Sequence, residues 1–190
     1  MLMATPADVG THYDELDHFY RDIWGEHLHH GFWETGRERP EEAVIQLIER
    51  VAAAAHLVSD DRHVCDVGSG YGGTARYLAE RYEARLTAIT LSTVQHQYAL
   101  AHGGGRIEYV RGDWFENDFD DNSFDVVLAV ESTAHMADKP GFFAEAARVL
   151  RPGGRLVVCA WLAAEQVSDW QNRYLLDPMC REGQLHRLDR

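Results

Sequence analysis

Ten residues, Val64-Cys65-Asp66-Val67-Gly68-Ser69-Gly70-Tyr71-Gly72-Gly73, hold the densest chemistry in this 190-residue chain. An apolar run ends in an acid, a glycine loop follows, and a helical pattern takes over near residue 71. Glycines stand where backbone must approach a ligand closely or adopt positive φ. The first N–H groups of the helix beyond point at whatever the loop holds. The segment reads as a cofactor cradle. Two glycine spacings coexist in it: Gly68, Gly70 and Gly73 as G-x-G-x-x-G, and Asp66, Gly68, Gly70 and Gly72 as D-x-G-x-G-x-G. Glycines alone do not choose the cofactor. Farther on, Gly112-Asp113-Trp114 offers a carboxylate able to accept from an adenine amino group and an indole able to cover its ring. His135 supplies a neutral imidazole, suited to taking a proton at neutral pH.

These groups need a frame that brings them together. From residue 63 short apolar runs alternate with helical patterns. Strands are expected at 63–67, 85–91, 106–111, 123–130 and 154–161, and helices at about 71–82, 92–102 and 138–150. Such alternation predicts an α/β fold, a parallel sheet with helices on both faces and right-handed crossovers. Ser92 with Gln95 reads as a capping box. Asp138 and Pro140 open the next helix, and Pro152-Gly153-Gly154 stops it. In such sheets ligands bind beyond the carboxyl ends of the strands, where Asp66, Asp113 and Glu131 fall. Upstream, Leu16, Phe19, Tyr20 and Ile23 predict an amphipathic helix over 12–24, and a second helix is expected over 40–57. We divide the chain into an N-terminal helical lid (1–60), a Rossmann-like cofactor-binding core (61–162) and the start of a substrate cap segment (163–190).

Composition narrows the function classes. The chain is 45% hydrophobic, enough for one domain with a sizeable core. Its formal net charge is −13, from 18 basic and 31 acidic side chains. That surface repels phosphate backbones and argues against nucleic acid as a partner. No apolar run reaches the length of a membrane span, and the polar N-terminus does not read as a signal peptide. Three cysteines make no disulfide framework, consistent with reduced thiols and a cytoplasmic location.

The second predicted strand, Leu86 to Leu91, ends without the acid that usually holds ribose hydroxyls, and its absence weakens the usual form of both glycine patterns. On Asp113-Trp114, the run Phe124 to Glu131 and the turn Leu150-Arg151-Pro152-Gly153-Gly154-Arg155, the chain resembles the class I S-adenosylmethionine-dependent methyltransferases over roughly 63–161. Thr90-Leu91-Ser92-x-x-Gln95 is similar to the cyclopropane synthases and the sterol and tocopherol C-methyltransferases. There this segment contacts adenosine through hydroxyl, backbone and amide groups. Trp24-Gly25-Glu26-His27-Leu28-His29-His30-Gly31-Phe32-Trp33 and Glu131-Ser132-Thr133-Ala134-His135 look like the tocopherol methyltransferase group. The resemblance implies S-adenosylmethionine as cofactor, held by Asp66, Gly68, Ser69, Gly70, Thr90, Leu91, Gln95, Asp113, Trp114, Glu131, His30 and Gly31.

Each of these residues has a plainer reading. Ser92 and Gln95 either cap a helix, contact adenosine, or do both. Asp113 is an adenine partner or an Asx turn; Trp114 stacks on adenine or packs in the sheet's rim. Glu131 bonds a backbone amide or the methionine end of the cofactor. His135 is the expected general base, against a role in holding its loop. Ala134 stands where both the cyclopropane synthases and the tocopherol enzymes carry a glutamate before this histidine. In the cyclopropane enzymes that glutamate helps hold a bicarbonate base, so its loss argues against cyclopropanation. His27, His29 and His30 lack the spacing of a metal site, and no metal is expected. They belong instead to the lid, with Tyr13 or Trp33 offering π-faces to a cation or anchoring the first helix.

The expected activity is methyl transfer, to carbon or oxygen, on a small hydrophobic molecule. Acceptor contacts are expected from Trp161, Trp170, Tyr174, Leu175 and Met179. Members of this class add two strands after the fifth, whereas this chain ends at Leu188-Asp189-Arg190. A truncated sheet lacking those strands is therefore expected, with a homodimer or a completing chain as a possible partner. The alternative function is a cofactor-binding but inactive fragment, or a subunit completed by another polypeptide.

Overall fold

The computed structural model describes residues 4–58, 61–186 and 188. Positions 59 and 60, at the expected lid–core boundary, and positions 187, 189 and 190 of the expected cap lie outside the described residues. In chain order the elements are α1 (Pro6–Glu15), α2 (Asp17–Trp24), α3 (Pro40–Ala54), β1 (His63–Val67), α4 (Gly73–Tyr82), β2 (Arg85–Thr90), α5 (Thr93–His102), β3 (Ile107–Arg111), β4 (Phe124–Val130), α6 (Lys139–Val149) and β5 (Leu150–Cys159). Short 3₁₀ turns, Trp114–Glu116 and Thr133–His135, follow β3 and β4. After β5, Asp169–Gln171 and Asp177–Glu182 are helical around a wider π-type turn, Asn172–Leu176.

β1 lies at the middle of the sheet because it can be buried on both sides. Val64, Cys65, Asp66 and Val67 are all buried. The sheet order among the described residues is β3-β2-β1-β4-β5, every pair parallel. Alternation sends Val64, Val126 and Leu128 to one face, where they meet Ile48 and Val51 of α3 and Leu78 of α4. It sends Cys65, Val67, Val127 and Ala129 to the other, against Trp114 and Phe142 and Val149 of α6. Asp66 lies in register with Ala88 and Leu128, so the acid sits near the carboxyl ends of three strands.

The five predicted strands are the five found, and three boundaries differ for physical reasons. Residues 12–24 are not one helix. Thr5 caps α1 with Asp8 in a capping box and Pro6 follows, which starts the helix early. Leu16 then leaves helical geometry (φ −98°, ψ 12°) and α2 begins afresh. The break turns Asp17 inward and leaves Phe19 and Ile23 exposed, contrary to the apolar face the spacing implies. α3 ends at Ala54, short of 57, because His56 adopts φ 52°. β5 starts at Leu150, earlier than 154: Leu150 pairs with Phe124, and a register shift absorbs the Pro-Gly-Gly turn. The Ser92–Gln95 box forms only by half. Ser92 Oγ accepts Gln95 N–H at 3.0 Å, but the Gln95 side chain turns to Thr90.

Candidate functional site

A cavity of about 550 Å³ opens at the carboxyl ends of the strands, between the glycine loop and the N-terminal helices. Gly68 takes φ 79°, and a Cβ there would overlap Ser132. Ser132 in turn donates from Oγ to the Val67 carbonyl at 2.6 Å, tying the end of β4 under the loop. The Gly68 and Ser69 N–H groups both donate to the Ile89 carbonyl at 2.9 Å, which stitches the loop to β2. Asp66 is 3% exposed. Its Oδ2 has no hydrogen-bond partner, and burial pushes its carboxyl up to about 7. Ser69 Oγ is likewise buried without a partner. Buried polar atoms are normally satisfied, so an orphaned carboxylate and hydroxyl beside a glycine cradle fit a ligand bearing a cationic amino group.

The end of β2 supplies the next wall. Thr90 Oγ1 donates to Gln95 Oε1 at 2.9 Å, with both residues buried. Ser92 Oγ donates to Asp14 of α1 at 2.5 Å, and Val94 N–H donates to the same carboxylate oxygen at 3.1 Å. After β3, Asp113 Oδ1 accepts Phe115 N–H at 3.0 Å, the Asx geometry that opens the short turn. Trp114 is 3% exposed and packs against Phe142, ring centroids 6.0 Å apart; it also lines the cavity. Its indole nitrogen has no partner.

Glu131 follows β4 at φ 55°, a costly conformation for a residue with a side chain. Its Oε2 accepts from His30 N–H at 3.1 Å and from His30 Nδ1–H at 2.9 Å. The His30 ring lies between Trp24 and Trp161, centroids 4.8 and 4.5 Å away. Gly31 does not line the cavity. It sits against α3, where a Cβ would overlap Ala43. The three N-terminal histidines diverge. His29 donates from Nδ1 to the His30 carbonyl and accepts from Thr74 Oγ1 at Nε2. His27 is partly buried, its Nδ1 is shut from solvent without a partner, and this burial lowers its pKa to about 4.

His135 lies across the cavity. Its Nδ1–H donates to the Gln184 carbonyl at 3.2 Å, which leaves the lone pair on Nε2. Nε2 accepts the Tyr13 hydroxyl at 2.9 Å. Burial lowers the imidazole to about 4, so the ring is neutral at pH 7. Burial also raises the Tyr13 phenol above its ordinary value. Of the residues expected to touch an acceptor, Trp161 and Met179 line the cavity. Trp170, Tyr174 and Leu175 do not, and each is more than half exposed. Asp14, Asp17, Tyr71 and Gln184 carry contacts that sequence reading did not assign. Asp17 accepts the hydroxyl of the buried Tyr71 at 2.8 Å, fixing α2 to the glycine loop. Nothing in local spacing marks these acids, which read as ordinary solvated helix charges.

A family model described as "Methyltransferase domain" matches residues 65–158. Tocopherol O-methyltransferase of Arabidopsis thaliana chloroplasts is 33% identical over 203 residues, covering 94% of this chain and 57% of that protein. The 27-O-demethylrifamycin SV methyltransferase of Amycolatopsis mediterranei (strain S699) is 37% identical over 163 residues, covering 83% and 60%. The solved structure of the cyclase SpnF superposes with a TM-score of 0.81 at 29% identity, covering 87% of this chain and 64% of that one. The chain thus spans less than two thirds of these relatives. Among the described residues no helix is long and apolar enough to cross a membrane.

Proposed function

The chain belongs to the class I S-adenosylmethionine-dependent methyltransferases, and on that footing we propose that its protein methylates a small, largely apolar molecule bearing an ionisable hydroxyl. One observation carries the reading: a single cavity holds both the orphaned Asp66 carboxylate and the neutral, partly buried His135. When bound, S-adenosylmethionine supplies a methyl group on positively charged sulfur, already activated toward a nucleophile. The chain's task is to align, exclude water and remove a proton.

Asp66 receives the cofactor's amino group and Ser69 Oγ a second polar group at the same end; Gly68 and Gly70 let the backbone close on it. Thr90, Leu91 and Gln95 face the adenosine, with Asp113 and the turn at Trp114 beside the adenine. Glu131 fixes His30 at the cavity mouth, next to Trp161. With the cofactor bound, His135 Nε2 would take the acceptor's hydroxyl proton as its oxygen is methylated; the methyl carbon's bond to sulfur would break, the electron pair staying on sulfur as S-adenosylhomocysteine leaves. The Gln184 carbonyl holds the tautomer this needs. Tyr13, the present donor to Nε2, is displaced by the acceptor or passes the proton on. Apolar lining from Val9, Tyr20, Trp24, Met179 and Leu185 suits an acceptor with a hydrophobic body.

Calorimetry with S-adenosylhomocysteine, followed by methyl-transfer assays with a panel of phenols, enols and amines, tests the reading. Binding with transfer to hydroxyls is expected. Absence of S-adenosylhomocysteine binding would sink it. A second reading, a domain that binds the cofactor without transferring its methyl group, draws on a similar structure described as a cyclase. Binding with no transfer to any acceptor favours that one.

A further inference from the structure

The strand that usually ends in a ribose-holding acid ends here at Thr90 without one. An acid from another element instead grips the segment that follows the strand, outside the cavity. Asp14, near the end of α1, places Oδ1 on both the Ser92 hydroxyl and the Val94 N–H. α1 can come this close because Gly10 faces the chain at Leu91; a Cβ there would stand 3.2 Å from the Leu91 carbonyl oxygen.

The contacts form one directed network. The Ser92 hydroxyl proton is committed to Asp14, and its oxygen accepts the Gln95 N–H. Thr90 Oγ1 accepts the Ser92 N–H at 3.3 Å and gives its own proton to Gln95 Oε1. With Oε1 turned to Thr90, the Nε2–H donors are the group the Gln95 amide has left to offer, and Gln95 lines the cavity. The subsite is therefore built as a donor, where an acid would make it an acceptor. Neighbouring Tyr13, on the same helix, reaches His135 on the opposite side of the cavity. α1 thus contacts both halves of the site through consecutive residues.

We propose that Asp14 is a positioning residue for cofactor binding: through Ser92 it fixes the Gln95 amide so that its N–H faces the adenosine. The proposal rests on the S-adenosylmethionine reading above. It predicts that Asp14→Ala weakens S-adenosylhomocysteine binding about 10-fold or more. Asp14→Asn, which keeps an acceptor oxygen, should restore affinity to within about 3-fold of the parent. Because Asp14 acts through Gln95, adding Asp14→Ala to Gln95→Ala should cost little beyond Gln95→Ala alone.

Isothermal calorimetry on the whole chain, with circular dichroism of each variant, measures all three. Absence of binding by the parent chain refutes the cofactor reading itself. Parent binding with unchanged affinity in Asp14→Ala overturns only the proposal. So does equal loss in Asp14→Ala and Asp14→Asn, or full additivity with Gln95→Ala, since each marks a role in folding or charge instead of positioning. If Asp14→Ala does not fold, Ser92→Ala takes its place: the same loss is expected, and parent-like affinity overturns the proposal.

Discussion

The proposed cofactor side of the cavity and the side facing it differ at the groups that would meet a ligand. On the first, the candidate groups come from the carboxyl ends of neighbouring strands of one sheet: Asp66 near the end of β1, Thr90 ending β2, Asp113 just after β3. Polar atoms there lack partners, Asp66 Oδ2 and Ser69 Oγ among them. On the second, pairs join residues far apart in the chain, Tyr13 with His135 and His30 with Glu131. There both nitrogens of His135 are occupied, and Glu131 is bonded twice. One side is open for a ligand to satisfy; the other is closed on itself, and an acceptor must exchange one of its bonds. The difference teaches that cofactor affinity should depend on single buried groups, and turnover on opening a pair.

The largest test of that contrast is Asp66→Asn. It should weaken S-adenosylhomocysteine binding roughly 100-fold or more, since a buried cation would lose its counter-charge. The unliganded variant should nevertheless be more stable at pH 8. A buried carboxyl raised to about 7 holds its proton in the folded chain, so folding stability falls as pH rises from 3.8 through 7, on the order of a few kcal/mol in all. For the same reason affinity in the parent should drop as pH falls below about 7. A pH-independent affinity would break the assignment of Asp66 to the cofactor's amino group.

His135→Gln comes next and should act on the other side alone. Methyl transfer should fall roughly 10²–10⁴-fold, while S-adenosylhomocysteine affinity stays within about 3-fold by calorimetry. Comparable losses in both would erase the division between the two sides. Gly68→Ala should cost about 1–3 kcal/mol in thermal unfolding, from its φ of 79° and the overlap with Ser132. It should also reduce cofactor binding.

Acid titration sharpens the comparison further. His27 and His135 stay neutral in the folded chain down to about 4, whereas unfolded imidazoles protonate at 6.5. Unfolded chains bind more protons in that window, so these two groups lend stability at pH 7 that is lost as pH falls from 6.5 toward 4. Asp66 acts with the opposite sign over much of the same range. Denaturant melts at pH 4.5 and 6.5 should therefore show a steeper acid loss in Asp66→Asn than in the parent, by up to about 1.4 kcal/mol per pH unit. The smallest effect belongs to Trp170→Ala, within about 0.5 kcal/mol of the parent, because the side chain is 60% exposed. Trp161→Ala, beside His30, should instead weaken capture of an apolar acceptor.

The strands and the glycine cradle were legible because their signals are local, and the parallel sheet because strands alternate with helices; the strand order came only from the structure. A buried run, an acid and glycines at fixed spacing constrain backbone within ten residues. The helix break at Leu16 was not legible: apolar spacing over 12–24 is continuous, and only the pull of Asp17 toward Tyr71 explains the rotation. Trp114 shows the same limit, since its type is compatible with a ligand face and with the aromatic cluster at Phe142, and the fold gives it a place in both. Ser92 and Gln95 read correctly as a cap at Ser92. The turn of the Gln95 amide toward Thr90 depends on hydrogen bonds no spacing records.

The sequence by itself determined the family, the five-stranded core and where a cofactor loop must lie, because backbone sterics and burial act over short stretches. Tertiary structure alone decided that Asp14 meets Ser92 and that Tyr13 meets His135. Those partners lie 78 and 122 residues apart. Pairings across such separations follow from how helices dock on a finished sheet, and side-chain type carries no record of that distance.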